Sequence, residues 1–124
     1  MMKSIAALSG LVIWLVAIAA PGPSSAGAAK ENYRLYCAQC HGVLGNGEGV
    51  NWTSGGLTVS PRDHTYAKEM SQLTDEEIRL AIAEGGDAVQ KSEQMPSWGN
   101  VLSKKDIQGL VRYLRRLCKC EGQR

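Results

Sequence analysis

A run of consecutive residues, Cys37-Ala38-Gln39-Cys40-His41, constrains this chain more than any other feature. On a helix, Cys37 lies three residues before Cys40 and four before His41, so the three side chains share one face. The Cys-x-x-Cys-His spacing is the attachment signature of a c-type haem. Two thiols reach the vinyl groups at one edge of the porphyrin, and a neutral imidazole binds the iron. We therefore expect Cys37, Cys40 and His41 to hold one covalent haem c, with His41 as an axial ligand.

Other uses of these residues fit the sequence less well. A thioredoxin-like dithiol would accompany alternating strand and helix patterns, and this sequence has no strand-like alternation. A zinc site needs four N or S ligands, commonly from two Cys-x-x-Cys pairs, whereas Cys118 and Cys120 are separated by a single residue. A structural disulfide between Cys37 and Cys40 would leave His41 without a role.

Residues 1–26 have the pattern of a secretory signal peptide. Lys3 supplies a positive charge, residues 5–20 are almost entirely apolar, and small residues and prolines follow. We expect cleavage after Ala26, with Ala28 as the next choice, and therefore a periplasmic protein without a stable membrane span. The alternative is an uncleaved anchor, although the apolar run is shorter than the ~20 residues that a spanning helix needs.

The remaining chain, residues 27–124, has the length of one small domain. A single hydrophobic core is marginal at this size, and a covalently held haem would add a large apolar plate for side chains to pack around. The full sequence has no Phe and a formal net charge of +2. Such a small net charge does not indicate binding to nucleic acid or to a membrane surface.

Helix signals occur on both sides of a glycine-rich segment. Residues 29–40 are expected to form a short helix that carries the Cys-x-x-Cys-His motif, and the glycine-rich residues 42–49 end it as a flexible loop. Further along, Thr74 begins a capping-box pattern. The helix that starts there is expected to run to about Glu84, where two glycines stop it.

The last helix is expected to begin at Ser103, a candidate N-cap with Asp106 three residues later. Its apolar face has helical spacing and consists of Ile107, Leu110, Val111, Leu114 and Leu117. Its outer side is expected to be basic and to carry Lys104, Lys105, Arg112, Arg115, Arg116 and Lys119. With the mainly acidic residues 69–93 it would give a charge dipole that orients a partner. The alternative is that both are solvated faces that keep the protein soluble.

Two residues of the irregular segment after the glycine loop are candidate haem contacts. Arg62 is suited to bind a haem propionate with its forked guanidinium, and a plain exposed arginine is the alternative. His64 is a candidate second axial ligand. We expect it instead to be exposed to solvent, because a better ligand follows downstream.

That better ligand is Met95, which precedes Pro96 in a loop. Proline biases the preceding residue towards an extended backbone, so Met95 is expected to project from a rigid loop. A thioether is a soft iron ligand, and paired His and Met ligands raise the reduction potential. The alternatives are that Met95 fills the core and that Met70, which precedes a helix cap, supplies the thioether.

Cys118 and Cys120 have no firm assignment. Free thiols tend not to persist in an oxidising compartment. A bond between the two would close a very small, strained ring. The sequence therefore favours a link from Cys118 or Cys120 to another molecule, which would give a dimer, or a pair that stays reduced. Metal binding by the two thiolates alone is a further alternative without support in the sequence.

Together these motifs resemble the small monohaem class I cytochromes c of bacteria. The resemblance rests on Cys37-x-x-Cys40-His41, on Met95-Pro96-x-x-Gly99, on the helix start at residues 73–77 and on the linker at residues 57–63. It implies an all-α fold of short helices wrapped around one covalent haem. It implies thioether bonds at both cysteines, with His41 proximal and Met95 distal.

The resemblance also implies that the first and last helices cross at a contact between Tyr33 and the Gly109/Tyr113 region. Two features depart from the pattern of the family. His64 stands where an aromatic residue such as Phe is common, and the Cys118-Lys119-Cys120 tail is not part of the pattern.

The function expected from these observations is one-electron transfer between redox proteins, without catalysis. Two protein ligands would fill both axial positions, so no position is left for a substrate. An alternative is a haem subunit of a periplasmic dehydrogenase or reductase complex. Another is a haem sensor or peroxidase-like protein in which Met95 leaves the iron.

Overall fold

The computed structural model describes residues 25–123, and their secondary structure is helical, with no β-strand among them. Residues 1–24, which make up most of the predicted leader, lie outside the described residues. The elements are α1 (Ser25–Tyr36), α2 (Ala38–His41), α3 (Val50–Thr53), α4 (Ala67–Met70), α5 (Asp75–Glu84), a 3₁₀ turn (Asp87–Val89) and α6 (Lys104–Cys118). The predicted all-α fold is confirmed.

Helices α1 and α6 cross, and their contact is the most extensive between any two described elements. Gly109 faces Ala29 at the crossing, where a Cβ built at Gly109 would lie 3.5 Å from that of Ala29, an ordinary van der Waals distance. One turn along, the rings of Tyr33 and Tyr113 have centroids 5.2 Å apart. The crossing contact that the family resemblance implied is therefore present.

The core lies between this crossing and α5. Its most deeply buried large side chains are Tyr33, Met70 and Leu110. Helix α5 contributes Ile78, Ile82 and Ala83. Full burial of such apolar side chains stabilises a fold by about 1.5–3 kcal/mol each, so the core determines how α1, α5 and α6 pack.

The predicted helix starts are confirmed at both capping sites. Thr74 and Glu77 form a reciprocal capping box at the start of α5, which ends at Glu84 before Gly85. Ser103 and Asp106 form another at the start of α6. In each box a side-chain oxygen accepts from a backbone N–H that the helix leaves unpaired.

The prediction of one helix over residues 29–40 was wrong. Helix α1 ends at Tyr36, and Cys37 has φ −114° and ψ −36°. Helical bonding then restarts from Cys37, whose carbonyl accepts from the N–H of His41 at 2.9 Å. The motif therefore lies on a short helix of its own, and Cys37 caps its start.

The predicted glycine-rich loop is present at residues 42–49, and backbone bonds hold it to the motif. The N–H of Gly47 donates to the carbonyl of His41 at 2.8 Å, and that of Gly49 to the carbonyl of Cys40 at 3.1 Å. A Cβ at Gly49 would collide with the backbone of Cys40. Gly49 is thus needed for the close approach of this loop to α2.

Arg115 does not lie on the outer basic side of α6, as was predicted. Its side chain is only 12% exposed and pairs with Asp75 at 2.8 Å. Its other guanidinium nitrogens donate to the carbonyls of Met70 and Leu73, both at 2.6 Å. Those carbonyls lie in the connection from α4 to α5, so Arg115 ties α6 to that connection.

Within residues 25–123, no helix is both long enough and apolar enough to cross a bilayer.

Candidate functional site

The site is built around α2 and the residue before it. Cys37 and Cys40 form no disulfide, and both are half-buried, as is His41. Burial is the main cause that raises the pKa of Cys37, to about 12, and the nearby Cys40 adds to the shift. The raised pKa keeps the Cys37 thiol protonated, and because neither sulfur is in a disulfide, both thiols are available for covalent attachment of a group that lies against α2.

His41 is held by one backbone carbonyl. Its Nδ1 lies 2.9 Å from the carbonyl oxygen of Arg62, and a carbonyl can only accept, so Nδ1 carries the proton. The lone pair is then on Nε2, which is the nitrogen free to bind a metal. Burial lowers the pKa of His41 below its ordinary value, more than the bond to Arg62 raises it. The imidazole is thus neutral, the form that ligates iron.

His64 is buried, and the prediction that it faces solvent was wrong. It is 7% exposed, and its ring stacks on that of His41, with centroids 4.1 Å and planes 19° apart. A hydrogen bond of 2.9 Å joins its Nδ1 to the hydroxyl of Tyr33. Burial is the main cause that lowers the pKa of His64 well below its ordinary value. The ring is therefore neutral and fills the space behind His41.

The segment that carries these contacts is tied to the glycine loop. The N–H of His64 donates to the carbonyl of Gly45 at 2.6 Å. The side-chain amide of Asn51 donates to the sulfur of Cys40 at 3.5 Å. The motif is thus contacted by residues that follow it in the chain.

Arg62 has a role that neither sequence alternative included. Its side chain forms an ion pair with Glu69 at 2.9 Å, while its carbonyl fixes His41. The ion pair joins two partly exposed groups and contributes only about 0–1 kcal/mol. The backbone carbonyl of Arg62 therefore bears directly on His41, and the binding of a haem propionate by its side chain stays a prediction.

Met95 lies in a loop anchored to the end of α5. The N–H of Gly86 donates to the carbonyl of Met95 at 2.9 Å, and the N–H of Trp98 donates to that of Ile82 at 2.9 Å. Gly85 has φ +90°, and a Cβ there would lie 3.0 Å from the Met95 carbonyl oxygen. The two glycines that end α5 therefore also allow the methionine loop to lie against it.

A second anchor joins this loop to the linker before α4. The side-chain oxygen of Gln94 accepts from the backbone N–H of Thr58 at 2.9 Å and from its hydroxyl at 2.8 Å. Gln94, the residue before Met95, is thus hydrogen-bonded to a residue 36 positions earlier in the sequence. The loop that carries Met95 is therefore anchored, and the role of its thioether as an iron ligand stays a prediction.

The methionine loop contacts the end of α1, immediately before the motif. The rings of Tyr36 and Trp98 have centroids 5.2 Å apart, which joins the end of α1 to the loop. Met95 and Cys37 are both partly buried against the same hydrophobic cluster. Met70, the rival thioether, is 1% exposed and lies inside that cluster.

Cys118 and Cys120 form a disulfide with each other. The sequence favoured a link to another molecule or a reduced pair, so the bond within the chain corrects that expectation. Cys118 is buried at the end of α6, and Cys120 is half-buried beyond it.

The fold and the Cys-x-x-Cys-His site define a small class I c-type cytochrome. Residues 24–114 match the family described as cytochrome c oxidase, cbb3-type, subunit III. The chain therefore belongs to this family of cytochrome c domains. No curated protein matches the sequence.

Solved structures of c-type cytochromes are similar to the chain. One is the c-type cytochrome KustC0563, with a TM-score of 0.57 and 26% identity over 72% of this chain and 95% of that one. Another belongs to the reducing HAO-like protein complex Kustc0457/Kustc0458 of Kuenenia stuttgartiensis. It has a TM-score of 0.56 and 28% identity over 73% of this chain and 41% of that one.

The family implies a covalently bound haem c, and the residues at the site fit this group. Two unpaired thiols and a neutral imidazole with a free Nε2 are the donor set that attachment and proximal ligation require. Three contacts could not be predicted from the motif: the carbonyl of Arg62, the ring of His64 and the hydroxyl of Tyr33. The sequence did point to this segment, through the linker at residues 57–63 and through Arg62 and His64 as candidate haem contacts, but not to these contacts.

Proposed function

We propose that this protein is an exported one-electron carrier with a single covalent haem c and His/Met ligation. The domain would span residues 27–124 after removal of a leader at residues 1–26, and its location would be the periplasm. The observation that carries the proposal is the pair of unbonded cysteines next to a histidine whose Nδ1 is fixed by a carbonyl. Haem electron transfer is the activity of the family to which the chain belongs.

Each site residue would have a distinct task. Cys37 and Cys40 would form the two thioethers, His41 would bind the iron through Nε2, and Met95 would bind it from the other side. When bound, the haem supplies an iron that exchanges one electron between its ferric and ferrous states. The carbonyl of Arg62 would keep the proton of His41 on Nδ1 and so keep Nε2 available.

The rigid anchoring of Met95 supports its assignment over that of Met70. Bonds at Gly86 and Gln94 hold the loop in place without help from a bound group. Met70 is buried on α4, and the adjacent carbonyl accepts from Arg115. Moving its thioether out of the core would expose apolar surface, which costs about 25 cal/mol for each Å².

The surface beside Cys40 suits brief docking of a redox partner. Val43 and Leu44 are 72% and 73% exposed, and Val50 is 57% exposed. These side chains flank the helix that would carry the haem edge. Redox encounters use small interfaces, so we propose weak and salt-dependent association with donor and acceptor proteins.

We further propose that the protein is not an enzyme. With His41 and Met95 on the iron, no coordination position remains for a substrate. Carbon monoxide tests this directly. A ferrous protein that does not bind the gas rapidly has both ligands in place, and rapid binding would support the sensor or peroxidase-like alternative.

A second candidate function is that of a haem subunit in a larger redox complex. It is favoured by the similarity to a chain of a reducing HAO-like protein complex, although the match spans only 41% of that chain. Size-exclusion chromatography of the native protein from its source separates the two. A free carrier elutes as a small protein at all salt concentrations, and a subunit elutes in a stable complex.

A redox titration tests the carrier function itself. We expect a single reversible transition with the slope of a one-electron couple. Two separate transitions, or an irreversible one, would contradict a single haem that carries one electron.

A further inference from the structure

We propose that the Cys118–Cys120 disulfide is a second redox site, which undergoes exchange with negatively charged thiolate reductants. The haem function does not use this pair, and the Cys-Lys-Cys tail is not part of the family pattern. The proposal stands on its own residues and does not depend on how the iron is ligated.

The disulfide does little as a structural cross-link. Its cysteines are two residues apart and already adjacent at the end of α6. A disulfide stabilises a fold mainly by closing a loop of the unfolded chain, and the effect grows with the length of that loop. A ring that encloses one residue constrains the unfolded chain very little, so the bond has another use.

The two sulfurs differ in access. Cys118 is 4% exposed and belongs to the hydrophobic core, while Cys120 packs at its edge. Cys120 lines an open surface depression together with Arg115, Arg116, Lys119 and Glu121. A reductant from solvent would therefore reach the sulfur of Cys120 and not that of Cys118.

The depression is mainly cationic. The Nη1 of Arg115 lies 3.9 Å from the sulfur of Cys120, although the charge of Arg115 is paired with that of Asp75. Arg116 and Lys119 add two exposed positive charges that have no such partner in the lining, and Glu121 is its one acidic side chain. Lys119 has φ 52°, a conformation in which glycine is the usual residue after a helix. A lysine here places an ammonium group beside the disulfide. Nearby cations favour the thiolate form of cysteine and attract an anionic reductant.

The exchange has two steps. A thiolate attacks the sulfur of Cys120, the bond between the two protein sulfurs breaks, and Cys118 leaves as a thiolate that takes a proton from water. A second thiolate then attacks the sulfur of the reductant in the mixed disulfide, and Cys120 leaves as a thiolate beside Arg115. Two electrons pass to the protein, and two reductant thiols become one disulfide.

The first experiment measures access in the folded holoprotein. The protein is incubated with reduced glutathione, quenched with acid, alkylated and mapped by peptide mass spectrometry. We expect Cys118 and Cys120 to become alkylated at a rate within about tenfold of the rate in urea. Alkylation of this pair only after unfolding would overturn the proposal. The peptide map also distinguishes alkylation of Cys118 and Cys120 from alkylation of Cys37 and Cys40. Alkylation of Cys37 and Cys40 would count against covalent attachment of haem.

The second experiment tests the preference for negative charge. Anionic glutathione and cationic cysteamine are compared at equal thiolate concentrations. Glutathione should react faster than cysteamine. K119Q should lower the ratio of the glutathione rate to the cysteamine rate about threefold, and high salt should lower the same ratio in the wild-type protein. K104Q, at the opposite end of α6, is the matched control and should leave the ratio unchanged. Equal rates for both thiols in the wild-type protein would overturn the assigned charge of the reductant.

Discussion

The imidazole rings of His41 and His64 lie face to face, with centroids 4.1 Å apart and planes 19° apart. The same His64 is joined to the hydroxyl of Tyr33 by a hydrogen bond of 2.9 Å. His41 is therefore restrained twice, by the carbonyl at its Nδ1 and by a ring that is itself held in place from α1. Such restraint by neighbouring groups orients a metal-binding histidine.

Replacing Tyr33 with Phe tests this arrangement. Y33F leaves Nδ1 of a buried His64 without its partner, so the free energy of unfolding should fall by about 1–3 kcal/mol. The double variant Y33F/H64F has neither polar partner, so no buried nitrogen is left unpaired at this position. It should recover part of the free energy of unfolding that Y33F loses. Urea denaturation measures both values. The arrangement would be refuted by a Y33F variant that is as stable as the wild type.

Covalent attachment is tested with paired cysteine variants. C37A/C40A should carry no haem after denaturing electrophoresis, because both thioether positions are absent. C118S/C120S is the matched control, and its haem stain should equal that of the wild type. A stained band in the first variant would show that the haem is held in another way.

Arg115 should matter far more than its neighbour Arg116. R115Q removes donors from the carbonyls of Met70 and Leu73, and it should lower the free energy of unfolding by roughly 1–3 kcal/mol. Arg116 is exposed and lies 5.4 Å from the centroid of the Tyr113 ring, a contact that contributes about 0.5–1 kcal/mol. Chemical denaturation of R115Q and R116Q compares them, and equal losses would contradict the role given to Arg115.

The helix caps should make stability depend on pH in the acid range. A backbone bond from Thr74 is the main cause that lowers the pKa of Glu77, and a hydroxyl bond from Ser103 is the main cause that lowers that of Asp106. A carboxyl whose pKa is lower in the folded state stabilises the fold above its ordinary pKa, and this contribution is lost as pH falls.

The variant E77Q/D106N should therefore show a shallower loss of stability than the wild type between about pH 5 and 3. The measurement is urea denaturation followed by circular dichroism at several pH values. Parallel curves for variant and wild type would show that the caps do not carry this pH dependence.

Local signals predicted local features well. The Cys-x-x-Cys-His motif and the capping residues Thr74 and Ser103 act within a few positions of sequence, so the haem signature and both helix starts could be recognised. The end of α5 was predicted for the same reason, since glycines at the end of a helix are a local signal.

Long-range contacts could not be predicted in this way. The bond from His41 to the carbonyl of Arg62 spans 21 positions. Every residue has a backbone carbonyl, so the residue type at position 62 does not indicate this bond. His64 was expected at the surface because nothing nearby in sequence showed that Tyr33 and His41 would surround it. Arg115 was placed on the outer side of α6 for the same reason, since its partners lie more than 40 positions earlier.

The central claim is that one haem is bound covalently and ligated by His41 and Met95, and a visible absorption spectrum tests it most directly. Oxidised and reduced spectra should be recorded for the wild type, for M95A and for the control M70L. We predict sharp reduced bands and, in the oxidised wild type and M70L, the weak red band of a bond between methionine sulfur and ferric iron. M95A should keep its haem, lose this band and show a potential lower by on the order of 0.1 V, a fraction of the range that axial ligands span. A red band that persists in M95A, or one that is absent from the wild type while haem stays attached, would contradict the claim.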